Sequence, residues 1–121
     1  MALVVVAEAP DDFEHWLAAS RAPAPPPVTP EAVRGKDVVE RGPCAMCHNI
    51  TGSTASGRTA PDLTHIASRS TIGAGWLPNT PGNLAGWIAD PQHIKPGCRM
   101  PATGLSSQEL QAVLTYLETL K

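Results

Sequence analysis

The chain has little aromatic content, no strong charge of either sign and no long apolar run. Phe, Trp and Tyr make up only 4% of its 121 residues, and 42% are hydrophobic, so the side chains alone supply a modest core for one small domain. Nine basic residues against eleven acidic ones leave a net charge of −2, which excludes the basic surface that nucleic acid requires. No stretch is long and apolar enough to span a bilayer. The opening MALVVVAEAP has too short an apolar run, and no preceding positive charge, for a secretory signal. Three cysteines are an odd number, a poor basis for a disulfide framework. There is no internal repeat.

Proline is abundant and marks the organisation. Leu3 to Ala7 is a short β-rich run that expects a strand, and a lone strand needs a sheet to satisfy its backbone. DDFEHWLAAS follows Pro10 and predicts a short helix, capped by Asp11 or Asp12, with Phe13, Trp16 and Leu17 on one face. RAPAPPPV is a semi-rigid, extended linker. The expected division is therefore an N-terminal piece over residues 1–20, a linker over 21–29 and a domain over 30–121.

Within that domain, Thr29 as N-cap and Pro30 at the first helical position open a helix expected to reach about Arg41, where Gly42-Pro43 stops it. Residues 49–62 read as loop, and Leu63 to Ser70 as a turn or two of helix. NLAGWIA is a short helix halted by Asp90-Pro91, and QHIKPGCRMPATG is a loop. Ser106 and Glu109 form a capping box, with Leu105 and Leu110 as its hydrophobic staple. Leu110, Val113, Leu114, Leu117 and Leu120 then make one apolar stripe, which expects to pack on the Thr29–Arg41 helix.

The chemistry centres on CAMCH, Cys44 to His48. A CxxC followed directly by histidine reads as a covalent attachment site for haem. Such a group would also enlarge the small core. His48 is then delivered to the iron as one axial ligand. For the other, the candidates are His15, His65, His93, Met46 and Met100. Met46 lies between the cysteines, on the wrong side, and His15 lies across the linker. Met100 sits in KPGCRMP, where glycine and prolines stiffen the chain. A histidine–methionine pair suits an electron carrier, because the thioether raises the reduction potential. The plainer reading of Met100 is a gap-filling core residue. His65 and His93 read as loop histidines, and Cys98 as a spectator thiol. A zinc site of Cys44, Cys47, Cys98 and a histidine lacks a second CxxC, and a thioredoxin-like centre lacks its βαβ context. Pro61 is placed to offer its carbonyl to the other ring nitrogen of His48. Trp76 and Trp87 carry indole N–H groups, and Arg69 a guanidinium, that could meet haem propionates. Trp87 reads equally well as a core residue.

GKDVVERGPCAMCH, APDLTHIASR and IKPGCRMP together resemble a class I cytochrome c domain. Residues 61–101 are similar almost throughout to the run PDLTHxxSRxTIxAGxLPNTPxNLxxWIxDPQxIKPGxxMP of the cytochrome c domain fused to subunit II of caa-type cytochrome c oxidases. The resemblance implies an all-α fold of short helices wrapped around covalent haem c. It implies Cys44 and Cys47 as thioether anchors, His48 and Met100 as axial ligands, and the Pro61 carbonyl on His48. It also implies helix packing near Gly35 and Val39 on one side and Leu114 and Leu117 on the other. Val39 stands where many relatives carry an aromatic, which implies a lighter contact. MALVVVAEAPDDFEHWL is similar to the last strand and following segment of the same subunit's copper-binding domain, with Met1 at a copper-ligand position. The cysteine and histidine copper ligands are absent.

The expectation is therefore an electron-transfer domain, itself no enzyme, cut from a longer membrane-delivered parent on the periplasmic face. It would pass single electrons from a donor cytochrome or respiratory complex to the dinuclear copper centre of the oxidase. A free-standing soluble cytochrome, or the cytochrome subunit of a dehydrogenase, is the alternative. A haem sensor with a weak sixth ligand is a further one.

Overall fold

The computed structural model describes residues 5–121. Helices dominate: α1 (Pro10–Arg21), α2 (Pro30–Arg41), α3 (Cys44–Cys47), α4 (Pro81–Ala89), α5 (Pro91–Ile94) and α6 (Ser107–Leu117), with a 3₁₀ turn at Ile66–Ser68. Strands β1 (Thr71–Ile72) and β2 (Leu77–Pro78) pair antiparallel, Thr71 opposite Pro78 and Ile72 opposite Leu77. This small sheet is a minor addition to the expected fold of short helices. Gly73, Ala74 and Gly75 all take positive φ in its turn, a conformation that two glycines make accessible. The Lys95 ammonium donates to the Gly73 carbonyl at 2.8 Å and holds the turn down.

The frame is the crossing of α2 and α6. Thr29 accepts a hydrogen bond from the Ala32 amide at 3.1 Å, and Pro30 occupies the first turn, where no amide partner is missed. Ser106 and Glu109 form the reciprocal capping box that starts α6. The two helices approach backbone to backbone at Gly35: a Cβ there would lie 1.9 Å from the Ala112 carbonyl oxygen and 2.8 Å from Cβ of Tyr116. That approach buries Ala32 and Val39 against Val113, Tyr116 and Leu117. Tyr116 is 1% exposed, so an aromatic does fill the junction, from α6 rather than from position 39. Each fully buried side chain of this size contributes roughly 1.5–3 kcal/mol of transfer free energy. Leu120, just past the end of α6, is fully buried, and the Ala67 amide bonds to its carbonyl at 2.8 Å.

Other expectations are corrected. Helix α1 starts two or three residues earlier than an Asp11 or Asp12 cap would set it: Ala9 is its N-cap and Pro10 its first residue. Asp11 and Asp12 lie in the first turn, where they favour the positive end of the helix dipole instead of capping it. No α1 residue is buried; Phe13 and Trp16 meet each other, ring centroids 5.8 Å apart. Val5 to Ala9 form no strand and pair with neither strand of the hairpin among the described residues. Leu3, Val4 and the Met1 position lie outside the described residues. The Asp90-Pro91 step ends α4 and also begins α5, since Asp90 accepts the His93 amide at 3.1 Å. The segment from Gln92 is thus helical before it becomes loop.

The proline-rich segment 22–29 is irregular, and its first residues dock. The Ala24 amide donates to the Thr51 carbonyl at 2.8 Å. His65 Nε2 lies 3.0 Å from the Ala22 carbonyl, and its Nδ1 lies 2.8 Å from that of Lys121.

Candidate functional site

Six stretches of the chain converge on one cleft lined by Val39, Cys44, His48, Leu63, Ile88, Met100, Val113 and Leu117. Apart from the cysteine, histidine and methionine, every lining residue is aliphatic. Helix α3 is a single turn, so Cys44 and Cys47, three residues apart, project from one face. The loop that follows locks this turn. The Ala60 and Thr59 amides donate to the Cys47 carbonyl at 3.0 and 3.2 Å, and the Gly57 amide donates to that of His48 at 3.0 Å. Glycine is required at 57 because a Cβ would lie 2.4 Å from the Cys47 carbonyl carbon. Cys44 is half-buried; burial pushes its thiol up, opposed by a backbone hydrogen bond. Cys47 is exposed.

His48 Nδ1 lies 2.7 Å from the Pro61 carbonyl oxygen. A carbonyl only accepts, so Nδ1 carries the proton and the neutral ring keeps its lone pair on Nε2, the form a metal needs. The Pro61 strap is itself braced. Asp62 accepts from the Thr64 amide at 2.7 Å and from the Asn49 side chain. Arg69 donates to the Asp62 backbone carbonyl. Leu63 N–H donates to the Asn49 carbonyl at 2.8 Å. Burial opposes the Asp62 charge, but the Thr64 and Asn49 hydrogen bonds and the Arg69 charge outweigh it, holding the carboxyl below its ordinary value.

Met100 reaches the cleft from the loop between α5 and α6, half-buried and packed against the core. The other candidates lie elsewhere. Met46 is 73% exposed, His15 lies on exposed α1, His93 is exposed, and His65 faces the Ala22 and Lys121 carbonyls. Among the described residues, no three of His, Cys, Asp and Glu lie in one cluster. Trp76 is 58% exposed beneath the Lys95 ammonium, 5.5 Å from its ring centroid. The Trp87 ring packs at Gly73, where a Cβ would lie 3.0 Å from it. Arg69, Trp76 and Trp87 therefore gather around the strap and the hairpin and do not line the cleft.

Sequence reasoning missed the residues that brace these ligand-bearing loops. Asn49 and Thr64 are polar loop residues and Gln92 sits in the single turn α5; their partners lie 6 to 13 positions away, and local patterning is blind to such pairs.

Residues 32–121 match the family model described as Cytochrome c. The chain is 36% identical over 113 residues to a protein named cytochrome c oxidase subunit 2 from Alkalihalophilus pseudofirmus, covering 92% of this chain and 32% of that one. It is 29% identical over 106 residues to a nitric oxide reductase subunit from Halomonas halodenitrificans, covering 86% of this chain and 68% of that one. The chain thus spans about a third of the length of the oxidase subunits it matches. Among solved structures it is similar to the c-type cytochrome SorU from Sinorhizobium meliloti, with a TM-score of 0.52 at 21% identity, over 74% of this chain and 90% of that one. That likeness shows a shared fold.

Proposed function

This chain belongs to the cytochrome c family, with its class I fold, and we propose that it is the electron-transfer domain of a cytochrome c oxidase subunit II, carrying haem c on Cys44 and Cys47. The observation that carries the reading is the joint placement of His48 and Met100 on one aliphatic cleft beside Cys44, with His48 Nδ1 held 2.7 Å from Pro61. The residues fit the group. Two thiols share one face of α3, one imidazole nitrogen keeps its lone pair, and a thioether shares the cleft.

Haem c supplies an iron that gains or loses one electron. The chain's own residues do the rest. The Pro61 carbonyl fixes the His48 ring and makes it a stronger donor. Met100 contributes soft sulfur, which favours the ferrous state and raises the potential. Val39, Leu63, Ile88, Val113 and Leu117 keep water out, which further disfavours the extra positive charge of the ferric state. Ligands tied by hydrogen bonds, His48 to the Pro61 carbonyl and the Met100 backbone to the Gln92 side chain, would leave little to reorganise when the charge changes. The small net charge makes docking only weakly steered by charge, and the proline-rich segment supplies effective concentration toward a neighbouring domain.

The electron would come from a donor cytochrome or respiratory complex and go to the dinuclear copper domain of the same subunit, on the periplasmic face. No helix of the described residues is long and apolar enough to cross a membrane. Residues 5–9 form no strand, so the oxidase reading rests on the 61–101 similarity and on the relatives. The nitric oxide reductase relatives favour a second reading, in which the same domain feeds a different catalytic partner. Rapid mixing tests the choice. The reduced, haem-loaded chain should pass electrons to an oxidised subunit II copper domain much faster than to the catalytic chain of a nitric oxide reductase. The reverse order would overturn the oxidase assignment.

A further inference from the structure

We infer that Gln92 is the positioning residue for Met100, an inference that rests on the reading of Met100 as an iron ligand. The loop from Arg99 to Leu105 has no backbone-to-backbone hydrogen bond to the rest of the chain among the described residues. Pro101 has no amide hydrogen to offer. The turn before it is held by one bond, Cys98 amide to Lys95 carbonyl at 3.1 Å, with Gly97 at φ +83°. Such a loop carries little geometry of its own, yet an iron ligand must be held to a fraction of an ångström.

The Gln92 carboxamide supplies what the backbone lacks. Its Nε2 donates to the Cys98 carbonyl at 2.6 Å and to the Met100 carbonyl at 2.8 Å, and its Oε1 accepts from the Gly97 amide at 3.2 Å. The Cys98 sulfur lies 3.1 Å from the same nitrogen. Two amide hydrogens meet two carbonyls, and the one carbonyl meets an amide; turned over, the group would set oxygen against oxygen. Gln92 is itself anchored, in α5, whose first turn is capped by Asp90. On the far side, the Thr103 hydroxyl donates to the Ile88 carbonyl at 3.1 Å. Met100 thus hangs between a rigid amide clamp and a single hydroxyl tie.

Losing the clamp should raise the population in which Met100 is away from the iron. Losing the two hydrogen bonds that the Gln92 amide donates, at an exposed site, should shift that population roughly tenfold. Exogenous imidazole, which competes for the position of Met100 on ferric iron, reads that population directly. The test compares haem-loaded wild type, Gln92→Leu and Gln92→Glu by imidazole titration, following the methionine–iron absorption band, with thermal melting of each. Both variants should bind imidazole about tenfold more tightly, Gln92→Glu included, because it keeps the length and an acceptor but loses both donors. A wild type without the methionine–iron band overturns the Met100 reading and this inference with it. A wild type with the band, and variants matching its imidazole affinity, overturn the Gln92 assignment alone. Should neither variant fold, hydrogen exchange in the wild type decides. The Gly97 amide should exchange at least tenfold more slowly than an unstructured peptide, and no protection there overturns the clamp.

Discussion

Alanine at position 35 would place a methyl carbon 1.9 Å from the Ala112 carbonyl oxygen, 2.5 Å from its carbon and 2.8 Å from Cβ of Tyr116. Two of these are backbone atoms, so no side-chain rotation relieves the clash. Helices α2 and α6 must separate by about 1 Å, and a gap of that size forfeits roughly a quarter to a half of each dispersion contact across the junction. The contacts at stake are those of Ala32 and Val39 with Val113, Tyr116 and Leu117. Overpacking of this kind costs about 1–3 kcal/mol and more when backbone must move, while alanine returns about 1 kcal/mol of helix propensity over glycine. The net expectation for Gly35→Ala is about 1–2 kcal/mol of destabilisation, a fall in Tm of roughly 5–10 °C for a domain of this size. Denaturant unfolding of the haem-loaded protein, wild type against variant, measures it. A variant as stable as wild type, or more so, would show that propensity outweighs the helix contact and would refute the account of the junction.

Asp62→Asn should destabilise the protein at pH 7. The Asp62 carboxyl lies below its ordinary value in the fold, so its contribution is present above the unfolded pKa and lost as pH falls through the folded one. The difference between variant and wild type should therefore shrink below about pH 4, and a pH-independent difference would contradict the role of the charge. Tyr116, the chain's one tyrosine, is pushed up to about 12 by burial, with Glu40 adding to it. Its stabilising contribution is full below the ordinary value near 10 and is lost as pH rises toward 12, so phenolate absorbance should appear only with alkaline unfolding. Tyrosine ionisation near pH 10 in folded protein would contradict its burial. Met100→His should keep a six-coordinate iron but lower the reduction potential, since nitrogen favours ferric iron more than sulfur does. An unchanged potential in a redox titration would count against Met100 as ligand.

What was legible in the sequence was what residues settle locally. Thr29-Pro30 and the Ser106–Glu109 box fix the ends of α2 and α6 within one turn, so both helices were readable to the residue or nearly so. The CAMCH turn and the stiff KPGCRMP loop named the candidate ligands, and folding brings His48 and Met100 to one cleft. What was not legible depends on distant partners. The strands of the hairpin are two residues each, too short for any alternation to show, and its turn is held from Lys95, 22 positions away. Tyr116 lies off the leucine stripe, and its burial follows from the missing side chain at Gly35 on another helix. The linker composition gave no sign of docking, which depends on the Thr51 carbonyl. Asp90 shows one residue serving two signals: it stops α4 and caps α5, and a reading that counted only the stop lost the turn that carries Gln92.

The most direct measurement is the visible spectrum of the chain purified from cells able to attach haem, recorded ferric, and then reduced under carbon monoxide. The account predicts a methionine–iron band in the ferric protein and a reduced spectrum that carbon monoxide leaves unchanged, because Met100 and His48 would both ligate the iron. A ferric spectrum without that band, together with ready carbon monoxide binding, would contradict it.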